Sequence, residues 1–115
     1  MLIKKTETWL RQIGQDVIID LSGDVTNQGQ EAIHSAYAEA LQSRPGRILF
    51  NFSDTEYINT SGIAVLIKIV MQAEKTGYKI GLYGMSSHYQ KVFELVRLPL
   101  YADVYQTENE ALTEP

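Results

Sequence analysis

Two neighbouring segments constrain the fold of this chain more than any other feature. Arg47 to Phe52 carries Ile48, Leu49, Phe50 and Phe52, a run too continuously apolar for an edge strand, and it predicts a central strand buried on both faces. Shortly afterwards Ile63, Ala64, Val65, Leu66, Ile67, Ile69, Val70 and Met71 make a helix apolar on nearly every side, which a sheet alone cannot cover. A buried strand followed by a buried helix is the pattern of a layered α/β domain. With 115 residues and 44% hydrophobic content, the chain 1–115 reads as one domain with one core.

The remaining elements arrange themselves around that pair. Trp9 to Ile13 and Val17 to Leu21 read as strands, and the intervening Gly14-Gln15-Asp16 predicts an antiparallel hairpin. Ser22 to Thr26 reads as a loop. Ile33, Ala36, Tyr37, Ala40 and Leu41 recur at helical spacing, and Asn27 with Gln30 has the form of a capping box, so a helix is expected from there to just before Arg44-Pro45-Gly46. The apolar helix is expected to end near Thr76-Gly77. Tyr78 to Tyr83 reads as a fourth strand; Ser87 with Gln90 reads as a second capping box, ahead of a stripe of Tyr89, Val92, Phe93 and Val96 that closes at Leu98-Pro99. Ala102 to Tyr105 is a short fifth strand, Glu108 to Leu112 a last turn or short helix, and residues 110–115 are expected to fray.

The order β-β-α-β-α-β-α-β needs right-handed crossovers between parallel neighbours once the first hairpin is made. The predicted fold class is therefore α/β, a mixed sheet packed with helices. Partners of such folds meet the loops outside the strands' carboxyl ends, which gathers Gly23-Asp24-Val25, Asp54 to Ser61, and Gly84-Met85-Ser86 onto one expected face.

Composition narrows the chemistry. Lys+Arg 10 against Asp+Glu 14 gives a net charge of −4 with no basic run, which argues against direct nucleic-acid binding. Cysteine is absent, so disulfides and thiolate metal sites are excluded, and a reduced, cytoplasmic setting is expected. After Met1-Leu2-Ile3-Lys4-Lys5 come Thr6, Glu7 and Thr8 in place of the apolar core of a signal peptide. The longest apolar stretch is interrupted by Lys68 and falls far short of the roughly 20 residues a membrane span needs, so no membrane insertion is expected. Neither GxGxxG nor GxxxxGK[ST] precedes a helix, and no nucleotide or other cofactor is expected. Asp20, Asp24, Asp54 and Glu56 do not form a receiver-like magnesium cluster and read as solvated loop acids, so no metal is expected.

What remains is Ile58-Asn59-Thr60-Ser61-Gly62, a hydroxyl pair where a strand gives way to a helix. Helix starts leave N–H groups without partners and carry partial positive charge, so Ser61 suits a cap or first-turn position, and a phosphate there is stabilised by about 0.3–1 kcal/mol. A nucleophilic role would need a base beside it. The two histidines, His34 on a helix's polar face and His88 in a helix's first turn, are poorly placed for that, which leaves a small serine hydrolase as a remote alternative. Gly62 suits close backbone approach.

Leu21-Ser22-Gly23-Asp24-Val25, Ile48 to Phe52, and Ile58-Asn59-Thr60-Ser61-Gly62-Ile63-Ala64-Val65-Leu66 together resemble the STAS domain. Gly84-Met85-Ser86, Val92-Phe93, Val104-Tyr105 and Glu110-Ala111-Leu112 extend the likeness to the bacterial anti-sigma factor antagonists. The resemblance implies a non-enzymatic module that, unphosphorylated, binds an anti-sigma factor which is also a serine kinase and brings its own ATP and Mg²⁺. Sigma factor is thereby released, phosphorylation of Ser61 reverses the binding, and a serine phosphatase resets the cycle. Asn59 stands where the family's motif usually has Asp. Carried onto this chain, the partner-binding residues are Gly23, Asp24, Val25, Asn59, Thr60, Gly62, Met85 and Ser86. The family also implies an alternative, a non-switching subunit of a stressosome or of a lipid or anion transporter. Self-association through the apolar helix is left open.

Overall fold

The computed structural model describes residues 2–113. In chain order the elements are β1 (Glu7–Ile13), β2 (Asp16–Val25), α1 (Gln30–Gln42), β3 (Arg47–Ile58), α2 (Thr60–Thr76), β4 (Lys79–Tyr83), α3 (Ser87–Leu95), β5 (Asp103–Tyr105) and α4 (Glu108–Thr113). The strands form one sheet in the order β1-β2-β3-β4-β5, with β1 antiparallel to β2 and every later neighbour parallel. This is the expected mixed α/β fold.

Because consecutive parallel strands are neighbours, right-handed crossovers put α1, α2 and α3 on one face of the sheet. There Ile19, Leu21, Phe50, Phe52 and Leu82 meet Ile33 and Tyr37 of α1, Leu66 and Ile69 of α2, and Phe93 of α3. The second cover that α2 requires comes from α1, and Ile63 and Ile67 pack against the same core. Ala64, Lys68 and Gln72 form its exposed strip. The opposite face of the sheet buries Ile18, Leu49 and Tyr83 beneath Ala111 of α4. No helix among the described residues is long and apolar enough to cross a membrane.

Several element bounds differ from the expectation. Ser22 to Val25, read as a loop, continues β2, and β3 runs on from Phe52 to Ile58. The two extensions pair with each other, Ser22 with Asp54, Gly23 with Thr55 and Val25 with Ile58, through two register irregularities. Gly23 adopts φ +83° within them, so a residue type that signals a turn serves a bulged strand instead. Asp20, Asp24, Asp54 and Glu56 are likewise strand residues, not loop acids, and Asp24 is buried.

The expected capping boxes shift too. Thr26 caps a single 3-10 turn over Asn27–Gly29, its Oγ1 accepting from the Gln28 N–H, and α1 begins only at Gln30. Ser86, not Ser87, caps α3 by accepting from the Tyr89 N–H, while the Gln90 amide donates to the Met85 carbonyl. The fraying expected from residue 110 is not seen in Glu110–Thr113, which are helical with Ala111 fully buried. Residues 114 and 115, also expected to fray, lie outside the described residues.

Candidate functional site

Ser61 lies in the first turn of α2, and its neighbour does the capping. Asn59 is extended at φ −88° and ψ 177°, its Oδ1 accepts from the Gly62 N–H at 2.8 Å, and its carbonyl accepts from the Ile63 N–H at 2.9 Å. Thr60 and Ser61 are both exposed, ahead of the intrahelical hydrogen-bond ladder, at the positive end of the helix. The Asn59 N–H donates to the Val25 carbonyl at 3.1 Å, which ties the turn to the end of β2. Gly62 is pressed against that same carbonyl; a Cβ there would lie 2.1 Å from the Val25 oxygen. The helix start can come this close only because residue 62 has no side chain.

The structure joins the three predicted segments unequally. Val25 contacts the Asn59–Gly62 turn directly but is fully buried, so it shapes the face through its backbone. Gly23 and Asp24 lie beneath the segment that precedes β1. The Lys4 carbonyl accepts from the Asp24 N–H at 3.0 Å, the Lys4 N–H donates to Asp24 Oδ2 at 2.9 Å, and the Thr6 hydroxyl donates to the Asp24 carbonyl. A Cβ on Gly23 would meet the Lys5 carbonyl oxygen at 2.2 Å. Gly84 is set against Ser53, Met85 is buried, and Ser86 is exposed. That last segment reaches the site through Tyr89, whose hydroxyl accepts from the Ile58 N–H at 3.0 Å.

Beside Ser61 is a shallow depression lined by Asn27, Gln30, Ala64, Val65 and Lys68. Asn27, Gln30 and Lys68 were not anticipated as site residues, although Ser61, Ala64, Val65 and Lys68 fall at i, i+3, i+4 and i+7 and so share one helix face. Neither histidine nor carboxylate lines it. His88 packs edge-on against Tyr89, with ring centroids 4.8 Å apart. Among the described residues no three His, Cys, Asp or Glu side chains cluster as a metal site would require.

The strongest electrostatics lie on the opposite face of the sheet. Arg11 donates to both Asp20 oxygens at 2.6 and 2.8 Å and to Glu108 at 2.5 Å, Asn51 donates to Asp20 at 2.8 Å, and the Tyr83 hydroxyl donates to Glu108 at 2.6 Å. Burial pushes the Asp20 carboxyl up, but the hydrogen bonds from Arg11 and Asn51 outweigh it and hold the group below its ordinary value. Arg11 and Tyr83 hold Glu108 down as well, while burial and the Glu108 contact push the Tyr83 phenol up. This network pins α4 to the sheet.

The chain is thus a small α/β domain built on one five-stranded mixed sheet, with an exposed hydroxyl pair, Thr60 and Ser61, at the start of α2. Residues 9–99 match the family model described as "Mlab, STAS domain", and the chain belongs to the STAS family. Its fold is similar to that of an anti-sigma factor antagonist from Mycobacterium paratuberculosis, at a TM-score of 0.82 and 17% identity over 95% of this chain and 92% of the other. It is similar to the Bacillus cell fate determinant SpoIIAA in its phosphorylated form, at 0.70 and 23% over 91% and 96%. A sulfate transporter family protein from Wolinella succinogenes matches at 0.74 and 14% over 89% and 85%. At these identities the likeness is one of fold. A search of curated proteins found no match to this chain.

Proposed function

We propose that this chain is a partner-switching module that, unphosphorylated, binds an anti-sigma factor which is also a serine kinase, and that phosphorylation of Ser61 ends the complex. The observation that carries this reading is the division of labour at the start of α2. Asn59 caps the helix, which leaves the Ser61 hydroxyl exposed and without a capping duty. A phosphate there would add about −1.5 to −2 charge where outward amides and Lys68 accommodate it, so the fold is expected to survive modification. SpoIIAA, of the same fold, exists in a phosphorylated form.

Binding is a different matter. If a partner covers Ser61, burying an unpaired phosphate costs about 3–5 kcal/mol, or roughly two to three and a half decades in affinity. The chain is then substrate and ligand, the partner kinase supplies ATP and Mg²⁺, and a serine phosphatase restores the binding form. The partner face comprises Thr60, Ser61 and Ser86 at its surface, with Gly23, Asp24, Val25, Asn59, Gly62 and Met85 setting its shape.

Affinity capture from source-cell extracts with wild type, Ser61→Ala and Ser61→Asp as baits tests this. A kinase-like anti-sigma factor retained by the first two and lost from the third is the expected result. The likeness to a sulfate transporter family protein favours one second reading, a non-switching subunit of a transport complex. Equal recovery of transporter subunits by all three baits would establish it in place of the first.

A further inference from the structure

The two edges of the sheet are finished differently. β5 is three residues long and is followed at once by α4, which packs on it. β1 is seven residues long, without proline, and keeps one unbroken register with β2 from Glu7 opposite Ser22 to Ile13 opposite Asp16. An edge of that length presents a row of backbone donors and acceptors to any further strand. On the α4 side of the sheet Trp9, next to the strand's middle, is 52% exposed, and Ile13, at its end, is 37% exposed. On the other side Leu10 and Gln12 line a groove whose opposite wall is Ala40 of α1 and Ser43 just beyond its end. The edge thus has an exposed indole on one face and an unfilled groove on the other.

We propose that β1 pairs with β1 of a second copy of this chain, antiparallel about a two-fold axis through Leu10, to make one continuous sheet. The strand is self-complementary in that register. Trp9 falls opposite the partner's Arg11, and the symmetry makes the same pair twice. Asp20, Glu108 and the Tyr83 hydroxyl draw each Arg11 guanidinium inward over the sheet, which leaves its aliphatic stem at the edge as an apolar surface for the indole. Thr8 meets the partner's Gln12, Glu7 meets the partner's Ile13, and Leu10 meets the partner's Leu10 at the mouths of the two grooves. Every residue of β1 is paired in this arrangement. A slip of two positions either strands Gln12 and Ile13 or sets Arg11 opposite the partner's Arg11, where like charges repel. The pairing is isologous and closes on itself, since both copies use the same edge. It is independent of the phosphorylation cycle proposed for Ser61.

Sedimentation velocity of the full chain between about 1 µM and 1 mM is expected to show a reversible monomer–dimer equilibrium. The chain's single tryptophan is Trp9, so its emission should move to the blue as the dimer forms. Trp9→Lys should keep the far-UV circular dichroism of the wild type and weaken dimerisation at least about tenfold, because an edge lysine opposes strand addition. The register is read by cross-linking, which the absence of cysteine makes clean. Leu10→Cys places two thiols across the axis at a Cα separation of about 4.5–5.5 Å, within disulfide reach. Gln12→Cys displaces them by about 13 Å along the strands. Oxidation should therefore yield a covalent dimer from Leu10→Cys and none from Gln12→Cys. A wild-type chain that stays monomeric over the whole range, or equal cross-linking of the two variants, overturns the proposal.

Discussion

Gly62 and Asn59 carry the geometry of the Ser61 turn, and each can be tested alone. A methyl group at position 62 would sit 2.1 Å from the Val25 oxygen, so Gly62→Ala must push α2 away from the end of β2. Overpacking of this kind costs about 1–3 kcal/mol, to be read as a lower urea midpoint at unchanged m-value. Asn59→Ala removes the acceptor for the Gly62 amide and should cost about 1 kcal/mol. Asn59→Asp keeps the acceptor and adds the charge usual in the family's motif, so a gain of about 0.3–1 kcal/mol is expected at low salt, shrinking as salt is added. That Ser61 lies at a cap or in the first turn of a helix was legible in the sequence. The cap was not, because Asn59, Thr60 and Ser61 are all good capping residues in succession, and only the extended backbone at Asn59 selects among them.

The elements were legible in kind and order and illegible in extent, for a single physical reason. Ser22, Gly23 and Asp24 in β2, and Ser53 and Asp54 in β3, are residues whose local preference is for turns. Mutual pairing of the two strands overrides that preference and absorbs the mismatch in register irregularities. The Arg11 network was hidden for a related reason: Arg11 and Glu108 are 97 positions apart and meet only once α4 is laid across the sheet. That network has a titration signature. Asp20 and Glu108 are both held below their ordinary values, so the stability they contribute is complete above the unfolded carboxylate range of about 4 and is lost as pH falls through the lower folded values. Thermal melts should hold level from neutrality to about pH 5 and decline below about pH 4. Arg11→Met should make that decline shallower, whereas a wild-type acid profile in the variant would remove the network from the account.

Taken whole, the molecule separates its surfaces by the way the sheet is covered. Three helices occupy one face, a six-residue helix part of the other, and the Ser61 turn stands at the carboxyl ends of β2 and β3. An antiparallel union through β1 would direct the two Ser61 turns toward opposite ends of the dimer, so both copies keep that turn open to a partner. The segment ahead of β1 adds a constraint of another sort. Lys4 and Thr6 are hydrogen-bonded to Asp24, one residue from the carbonyl on which the Ser61 turn is built. A polypeptide fused before Leu2 therefore sets out from the rim of that turn, and its effective concentration there reaches the millimolar range even without affinity of its own. One fused beyond α4 departs from the other side of the sheet, so capture measured with a tag at each end should differ, with the N-terminal tag giving the weaker recovery.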